Sequence, residues 1–110
     1  ELEETELLYS NQAVHFPSLR RVLTDERISI NKQVFRLGKE RSYVDYFINN
    51  NAVSRSHADI ITRGNWYFVN DLNSKNHTYL NNERISVQTE VQIYDGDVIK
   101  LANEEFVFFE

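Results

Sequence analysis

The 110-residue chain is 41% hydrophobic and 26% charged, has a net charge of -5, and contains no cysteine. This length suits one domain and is too short for two cores, while the missing cysteines exclude disulfides and thiolate metal sites. No apolar run approaches the roughly 20 residues that span a bilayer, so we expect a single globular domain, cytoplasmic and without membrane insertion.

The acidic charge is concentrated at the start of the chain. Residues 1–6 hold four of the seventeen acidic side chains, whereas residues 7–110 hold 13 acidic and 12 basic side chains and are close to neutral. We therefore predict a tail or linker over residues 1–15, followed by one domain over residues 16–110. Because the sequence contains no methionine, we expect it to be a piece of a longer polypeptide.

Short apolar runs rich in Val, Ile, Phe and Tyr predict a chain built from strands. Short strands are expected, in chain order, at residues 16–23, 27–30, 34–37, 46–48, 58–61, 66–69, 78–80, 83–85, 91–94, 98–101 and 105–109. No segment has a convincing helical period. This spacing, with turn residues between the runs, predicts an all-β sandwich.

The turn signals predict how two polar loops come together. Arg63-Gly64-Asn65 separates the runs at 58–61 and 66–69 and is typical of a hairpin turn. Pairing of those runs would bring the loop that contains Ser54 and the loop that contains Lys75 to the same end of the hairpin. Hydroxyl, amide and cationic groups at one end of a sheet predict an anion-binding surface.

Residue type also predicts which side chains are buried. Trp66 and the Phe-rich strand at 105–109 are expected in the core, because large aromatic side chains lose most by exposure. Arg20-Arg21, Arg63 and Arg84 are expected to be solvated surface charges, since arginine is rarely buried.

Other functional readings of the same residues are weaker. Ser54, His57 and Asp71 could form a hydrolase triad. However, the glycines of a nucleophile elbow are missing around Ser54, so we expect no catalytic residue. Asp95 and Asp97 flank a turn glycine, where aspartate more often caps the loop than binds a metal, and we expect neither metal nor cofactor. The chain has no basic stripe with interleaved aromatics, so we expect no nucleic-acid partner.

Four short motifs follow one another along the chain. They are Phe35-Arg36-Leu37-Gly38-Lys39, Val53-Ser54-Arg55-Ser56-His57-Ala58, the segment DLNSKNHTYLN at 71–81, and Asp95-Gly96-Asp97. Their order and spacing resemble the forkhead-associated (FHA) domain family, whose pattern is Gly-Arg, Ser-x-x-His, Asp-Leu-x-Ser-x-Asn-Gly-Thr and Asp-Gly-Asp. The resemblance covers roughly residues 17–109.

The resemblance implies an eleven-stranded β-sandwich of two twisted sheets, with loops at one end that bind phosphothreonine in a partner protein or peptide. The residues that match phosphopeptide-binding positions of the family are Lys39, Ser54, Arg55, Lys75 and Asn76, with Arg41 and His77 as auxiliary candidates. Gly38 and His57 match structural positions. The resemblance further implies a noncatalytic module of a larger signalling protein, a bacterial one as our expectation, whose partner is phosphorylated by an upstream Ser/Thr kinase.

Two positions depart from the family pattern. Lys39 stands where the family has arginine. The lysine keeps the positive charge but lacks the planar fork of a guanidinium. His77 stands where the family has glycine. If the backbone is left-handed at this position, a residue with a side chain costs roughly 1 to 2 kcal/mol. These departures leave open an alternative in which the fold has lost phosphate recognition and mediates phosphorylation-independent protein assembly.

Overall fold

The computed structural model describes residues 15–110 and places eleven strands in them. The strands are β1 (Ser18–Arg21), β2 (Arg27–Ser29), β3 (Val34–Gly38), β4 (Tyr46–Phe47), β5 (Ala58–Arg63), β6 (Trp66–Asp71), β7 (Thr78–Leu80), β8 (Glu83–Arg84), β9 (Glu90–Ile93), β10 (Val98–Leu101) and β11 (Glu104–Phe109). One turn of 3-10 helix, Arg41–Tyr43, lies between β3 and β4. The predicted tail lies outside the described residues except for His15.

The strands form two sheets, which confirms the predicted all-β sandwich. One sheet has the order β2-β1-β11-β10-β7-β8 and the other has the order β4-β3-β5-β6-β9. All neighbours are antiparallel except β3 and β4, which are parallel. The described residues contain no helix that is long and apolar enough to cross a membrane.

Alternation along the strands fills the core between the sheets. In β11, Phe106 and Phe108 are fully buried, whereas Val107 and Phe109 are only partly covered, as the two-residue period of a strand requires. The rings of Tyr46 and Tyr67, from the opposite sheet, lie 6.3 Å and 5.3 Å from the Phe106 and Phe108 rings. The expected burial of the terminal Phe-rich strand is confirmed.

Trp66 is not in the core, and its predicted burial is wrong. In β6, Val69 is fully buried while Trp66 is 60% exposed, because the odd-numbered and even-numbered side chains of a strand face opposite sides. The register pairs Trp66 with Arg63 and Phe68 with Ile61, so these residues lie on the outer face of the five-stranded sheet. An apolar run such as 66–69 does not by itself reveal which half faces inward.

Arg21 is also placed differently from the prediction, since it is buried rather than solvated. It lies on the same face of β1 as the buried Leu19, and its guanidinium donates to both carboxylate oxygens of Glu104 at 2.9 and 2.8 Å. A third bond, at 3.1 Å, reaches the hydroxyl of Tyr46 in the other sheet. Arg20, on the other face, pairs with the exposed Asp25, as expected for a surface charge.

Removing the partner of Arg21 should destabilise the fold. Glu104→Ala would leave a buried guanidinium without its carboxylate, and we expect the free energy of unfolding to fall by about 3 kcal/mol, measured by urea denaturation. Glu105→Ala, at the next and exposed position, is the matched control and should change stability by less than about 0.5 kcal/mol. Equal effects of the two substitutions would contradict the structural role of the ion pair.

Candidate functional site

Three loops meet at one end of the sandwich. We call them loop A (residues 39–45), loop B (residues 48–57) and loop C (residues 72–77). Loop B leads into β5 and loop C follows β6, so both lie at the open end of the β5-β6 hairpin. There the Leu72 N-H donates to the His57 carbonyl at 2.9 Å. The predicted hairpin and the predicted meeting of the Ser54 and Lys75 loops are therefore confirmed.

Gly38 allows loop B to lie directly against the end of β3. A Cβ atom at this position would lie 2.0 Å from the carbonyl oxygen of Arg55, which leaves no room for any other residue. Next to it, the Lys39 N-H donates to the Ser54 carbonyl at 2.9 Å and the Glu40 N-H to the Arg55 carbonyl at 3.2 Å. Loop A and loop B are thus joined by two consecutive backbone bonds.

Ser54 links loop B to loop C. Its hydroxyl oxygen accepts the N-H of Lys75 at 3.0 Å, which fixes the backbone beneath the Lys75 side chain. A hydroxyl that accepts one bond still has its own hydrogen to donate. The Ser54 O-H can therefore bind an acceptor placed between the two loops.

Asn76 makes a second link between the same loops. Its side-chain N-H group donates to the carbonyl oxygen of Ala52 at 2.8 Å. Because a carbonyl can only accept, this bond fixes the orientation of the amide and leaves its oxygen as an available acceptor. The contribution of Ala52 was not predicted, since its backbone carbonyl carries no signal in the sequence.

His57 is a buried brace beneath the loops. Its Nδ1 accepts the backbone N-H of Ser54 at 3.0 Å, and its Nε2 donates to the carbonyl oxygen of His77 at 2.9 Å. These partners require the neutral ring. Burial lowers the pKa of His57 below its ordinary value of 6.5, although the His77 carbonyl and the charge of Asp71 act in the opposite direction.

The same contacts exclude a Ser-His-Asp triad. Both ring nitrogens of His57 are bonded to backbone groups, so neither can take a proton from the Ser54 hydroxyl. The carboxylate of Asp71 is bonded to the side chains of Ser74 and Thr78 rather than to the imidazole.

Asp71 shapes loop C from within and is a site residue that the sequence analysis missed. One of its oxygens accepts the hydroxyls of Ser74 and Thr78 at 2.6 Å each, and the other accepts the Ser74 N-H at 3.1 Å. Burial acts to raise the pKa of Asp71, but these bonds outweigh it and lower the pKa below the ordinary 3.8. The signal was the Asp-x-x-Ser spacing, which is typical of an Asx turn.

His77 has a left-handed backbone, with φ at +70°. This is the conformation that the glycine of the family pattern adopts without strain. The His77 carbonyl accepts bonds from His57 and from the Ala102 N-H at 3.0 Å. Its ring Nδ1 is buried and has no hydrogen-bond partner among the described residues.

Four cationic side chains surround these loops. Lys39 and Arg41 belong to loop A, Arg55 to loop B and Lys75 to loop C. Within residues 15–110, none of the four forms an ion pair, in contrast to most of the other arginines. The guanidinium of Arg41 lies 4.0 Å from the centre of the Phe47 ring, whereas the other three are attached to the joined backbones of the three loops.

Asp95 and Asp97 cap the β9-β10 turn, as predicted. Asp97 accepts the N-H of Tyr94 at 2.8 Å and the side-chain amide of Asn81 at 3.1 Å, and Asp95 accepts the N-H of Glu110 at 2.8 Å. In the part of the chain that the structure describes, no group of three or more His, Asp or Glu side chains could hold a metal ion.

The site therefore presents a hydroxyl donor, an amide acceptor and several unpaired cations on a rigid loop framework. Such a set can hold a multiply charged oxyanion through charge-assisted hydrogen bonds. Nothing in it supplies a positioned base or nucleophile.

Comparison with known proteins gives the same family at the sequence and structure levels. The family model for the FHA domain matches residues 35–102. The transcriptional regulatory protein EmbR of Mycobacterium tuberculosis is 39% identical over 64 residues, which are 58% of this chain and 16% of EmbR. The chain thus spans about a sixth of the length of that relative.

Two solved structures extend the similarity to most of the chain. EmbR of Mycobacterium tuberculosis in complex with a low-affinity phosphopeptide superposes with a TM-score of 0.80 at 30% identity, covering 86% of this chain and 24% of that one. The FHA domain of FhaA complexed with the intracellular domain of Rv3910 superposes with a TM-score of 0.75 at 27% identity, covering 84% of this chain and 98% of that one.

Relieving the backbone strain at His77 should stabilise the domain. Because glycine adopts a positive φ freely, we expect His77→Gly to raise the free energy of unfolding by about 1 kcal/mol, measured by urea denaturation. Asn73→Gly is a matched control in the same loop, where φ is +62°, and should give a smaller gain because asparagine tolerates this conformation. A loss of stability in His77→Gly would instead mean that the imidazole makes contacts the loop needs.

Stability should also fall in mild acid because of His57. A histidine whose pKa is lowered by folding contributes stability above its unfolded pKa of 6.5, and this contribution is lost as the pH falls, because the unfolded chain then binds the proton more readily. We expect the free energy of unfolding to decrease below about pH 6.5, with a slope of at most about 1.4 kcal/mol per pH unit for one proton.

The control for this pH dependence is His15→Gln, an exposed histidine whose removal should leave the slope unchanged, whereas His57→Gln should flatten it. Direct NMR titration of the wild-type His57 ring gives an independent reading that does not require the variant to fold. A His57 pKa at or above 6.5 would contradict the neutral, bridging imidazole.

Proposed function

Because the chain belongs to the FHA domain family, we propose that it is a noncatalytic module that binds phosphothreonine in a partner protein or peptide. The observation that carries this proposal is the bond between the Ser54 hydroxyl and the Lys75 N-H. It joins the loop that carries Arg55 to the loop that carries Lys75, and it leaves the hydrogen of the Ser54 hydroxyl free to donate.

A phosphothreonine suits this position chemically. It carries close to two negative charges and three strong acceptor oxygens. We assign the Ser54 hydroxyl and the Arg55 guanidinium to the phosphate oxygens, with the Lys75 ammonium nearby. Lys39 extends the positive surface, and its contact is less directional than that of arginine because an ammonium lacks the planar fork.

Asn76 is proposed to fix the path of the bound peptide. Its amide oxygen remains available after the side chain donates to Ala52 and can accept a backbone N-H of the peptide. Each charge-assisted bond to the phosphate contributes roughly 1.5 to 3 kcal/mol. Three or four of them, less a binding cost of several kcal/mol, correspond to affinities on the order of micromolar.

The comparisons support this proposal. EmbR, at 30% identity, is solved with a phosphopeptide, and the FhaA domain, at 27% identity, is solved with an intracellular domain. Since this chain spans 16% of EmbR, the similarity concerns the domain and not the rest of EmbR. We propose a cytoplasmic, bacterial signalling or regulatory protein whose partner is phosphorylated by a Ser/Thr kinase.

A second function is phosphorylation-independent assembly through the sheet surface. The observation that favours it is the outer face of the five-stranded sheet, where Trp66 and Val34 are 60% and 47% exposed. Exposed aromatic residues are enriched where proteins bind one another. The two functions are compatible, because the sheet face and the loop end are different surfaces.

Peptide binding by fluorescence anisotropy separates the two functions. A degenerate phosphothreonine library should bind, while matched phosphoserine and unphosphorylated libraries bind weakly or not at all. Arg55→Ala should reduce affinity by at least about tenfold, since one charge-assisted bond contributes roughly 1.5 kcal/mol or more, and it should leave stability unchanged because Arg55 is exposed. Ser54→Ala should abolish binding, since it removes both a phosphate contact and the link to Lys75.

Arg84→Ala, which removes an exposed arginine on β8 that belongs to none of the three loops, is the matched control for loss of charge and should bind normally. Equal or absent binding across the three libraries would reject phosphothreonine recognition and favour assembly through the sheet.

A further inference from the structure

Among the four loop cations Lys39, Arg41, Arg55 and Lys75, Arg41 is the one that lies over an aromatic ring within residues 15–110. Outside the loops, Arg27 and Lys100 lie over Phe109 and Tyr79. The Arg41 guanidinium lies 4.0 Å from the centre of the Phe47 ring, and Arg41 itself is exposed, in the 3-10 helix of loop A. Stacking on a ring restricts a long side chain to few conformations and leaves the edge of its planar fork open to solvent. A preorganised, exposed guanidinium is a suitable receptor for a planar anion.

The register of β3 and β4 places this guanidinium beside the phosphothreonine site. Gly38 and Phe47 are paired in parallel strands, so their Cα-Cβ directions point to the same face of the sheet. On that face the Arg55 carbonyl packs against Gly38, and loop B therefore crosses the sheet beside the Phe47 ring. The Glu40 N-H donates to the Arg55 carbonyl at 3.2 Å, so Arg41, the next residue, lies within roughly three residues of extended peptide from Arg55.

The acidic side chains of loop A do not neutralise Arg41. Asp45 accepts the Lys32 ammonium and the Arg36 N-H at 2.8 Å each. The Glu40 carboxylate accepts the Ser42 hydroxyl at 3.4 Å. In residues 15–110, Arg41 forms no ion pair. Its charge therefore remains available to a ligand that reaches loop A.

We propose that Arg41, stacked on Phe47, is a second anion-binding subsite that takes the carboxylate of an Asp or Glu side chain flanking the phosphothreonine. This inference rests on the proposed phosphothreonine site and names its substrate class, a phosphothreonine in an acidic sequence. A carboxylate fits because a single guanidinium with one face covered offers one fork, and a carboxylate accepts it through two parallel bonds.

The test is a scan of acidic positions in a phosphothreonine peptide. A reference peptide has alanine at all flanking positions within about four residues, or roughly 13 Å of extended chain, on each side. Each position is replaced in turn by Glu and, as the uncharged control, by Gln. Affinities are measured by fluorescence anisotropy, and the ratio of the Glu to the Gln affinity is reported for each position.

We expect one position, or two adjacent ones, at which Glu strengthens binding roughly three- to tenfold over Gln, as a partly exposed bidentate pair would. In Arg41→Ala this ratio should fall to about one. Arg41→Lys should retain only part of it, because lysine has the charge without the fork. Phe47→Leu should reduce the ratio although Arg41 is still present, which a purely long-range charge effect would not do.

The outcomes separate this inference from the proposed function. Arg84→Ala is the charge-matched control, and it should leave the ratio unchanged. If phosphothreonine peptides bind but no position distinguishes Glu from Gln, or the ratio persists in Arg41→Ala, the acidic subsite is rejected and phosphothreonine binding stands. If no phosphothreonine peptide binds at all, both proposals fail.

Discussion

The buried His57 residue is the constraint on which the spacing of loops B and C depends. Its Nδ1 holds loop B through the Ser54 N-H, its Nε2 holds loop C through the His77 carbonyl, and its backbone bonds to Leu37 and Leu72. One neutral residue thus determines how far apart the two loops lie. Because its partners are backbone groups, this spacing does not depend on which side chains the loops carry.

A framework that uses no cationic side chain leaves the cations of the loops free for binding. The loops are held by amides, hydroxyls, the His57 imidazole and the buried Asp71 carboxylate, while Arg55 and Lys75 are not needed to keep the loops in place. Ion pairs are instead used elsewhere, as in the buried pair of Arg21 and Glu104. This division lets a ligand meet cations whose charge is not already compensated, on a framework that needs little reorganisation.

Local chemistry predicted the turns, the hairpin and the meeting of loops B and C, because glycine, asparagine and aspartate act through a few neighbouring residues. The side of the sheet that each side chain faces was harder to predict. Trp66 was expected in the core and Arg21 at the surface, and both predictions were wrong. The side that a residue faces depends on strand register and on a partner far along the chain. Glu104, the partner of Arg21, lies 83 positions away. The role of the Ala52 carbonyl was missed because a backbone group carries no signal in the sequence, whereas the role of Asp71 was missed although the Asp-x-x-Ser spacing indicated it.

The two departures from the family pattern have different physical consequences. The backbone of Lys39 is joined to the Ser54 carbonyl, so its side chain starts from the same place that an arginine would and lacks only the planar fork. His77 keeps the left-handed turn that glycine would adopt, and the bond from Asn76 to Ala52 holds the amide in place. The NH2 group of Asn76 has a second hydrogen besides the one bonded to Ala52. The amide oxygen and that second N-H therefore both stay available to a ligand while the bond to Ala52 orients the side chain.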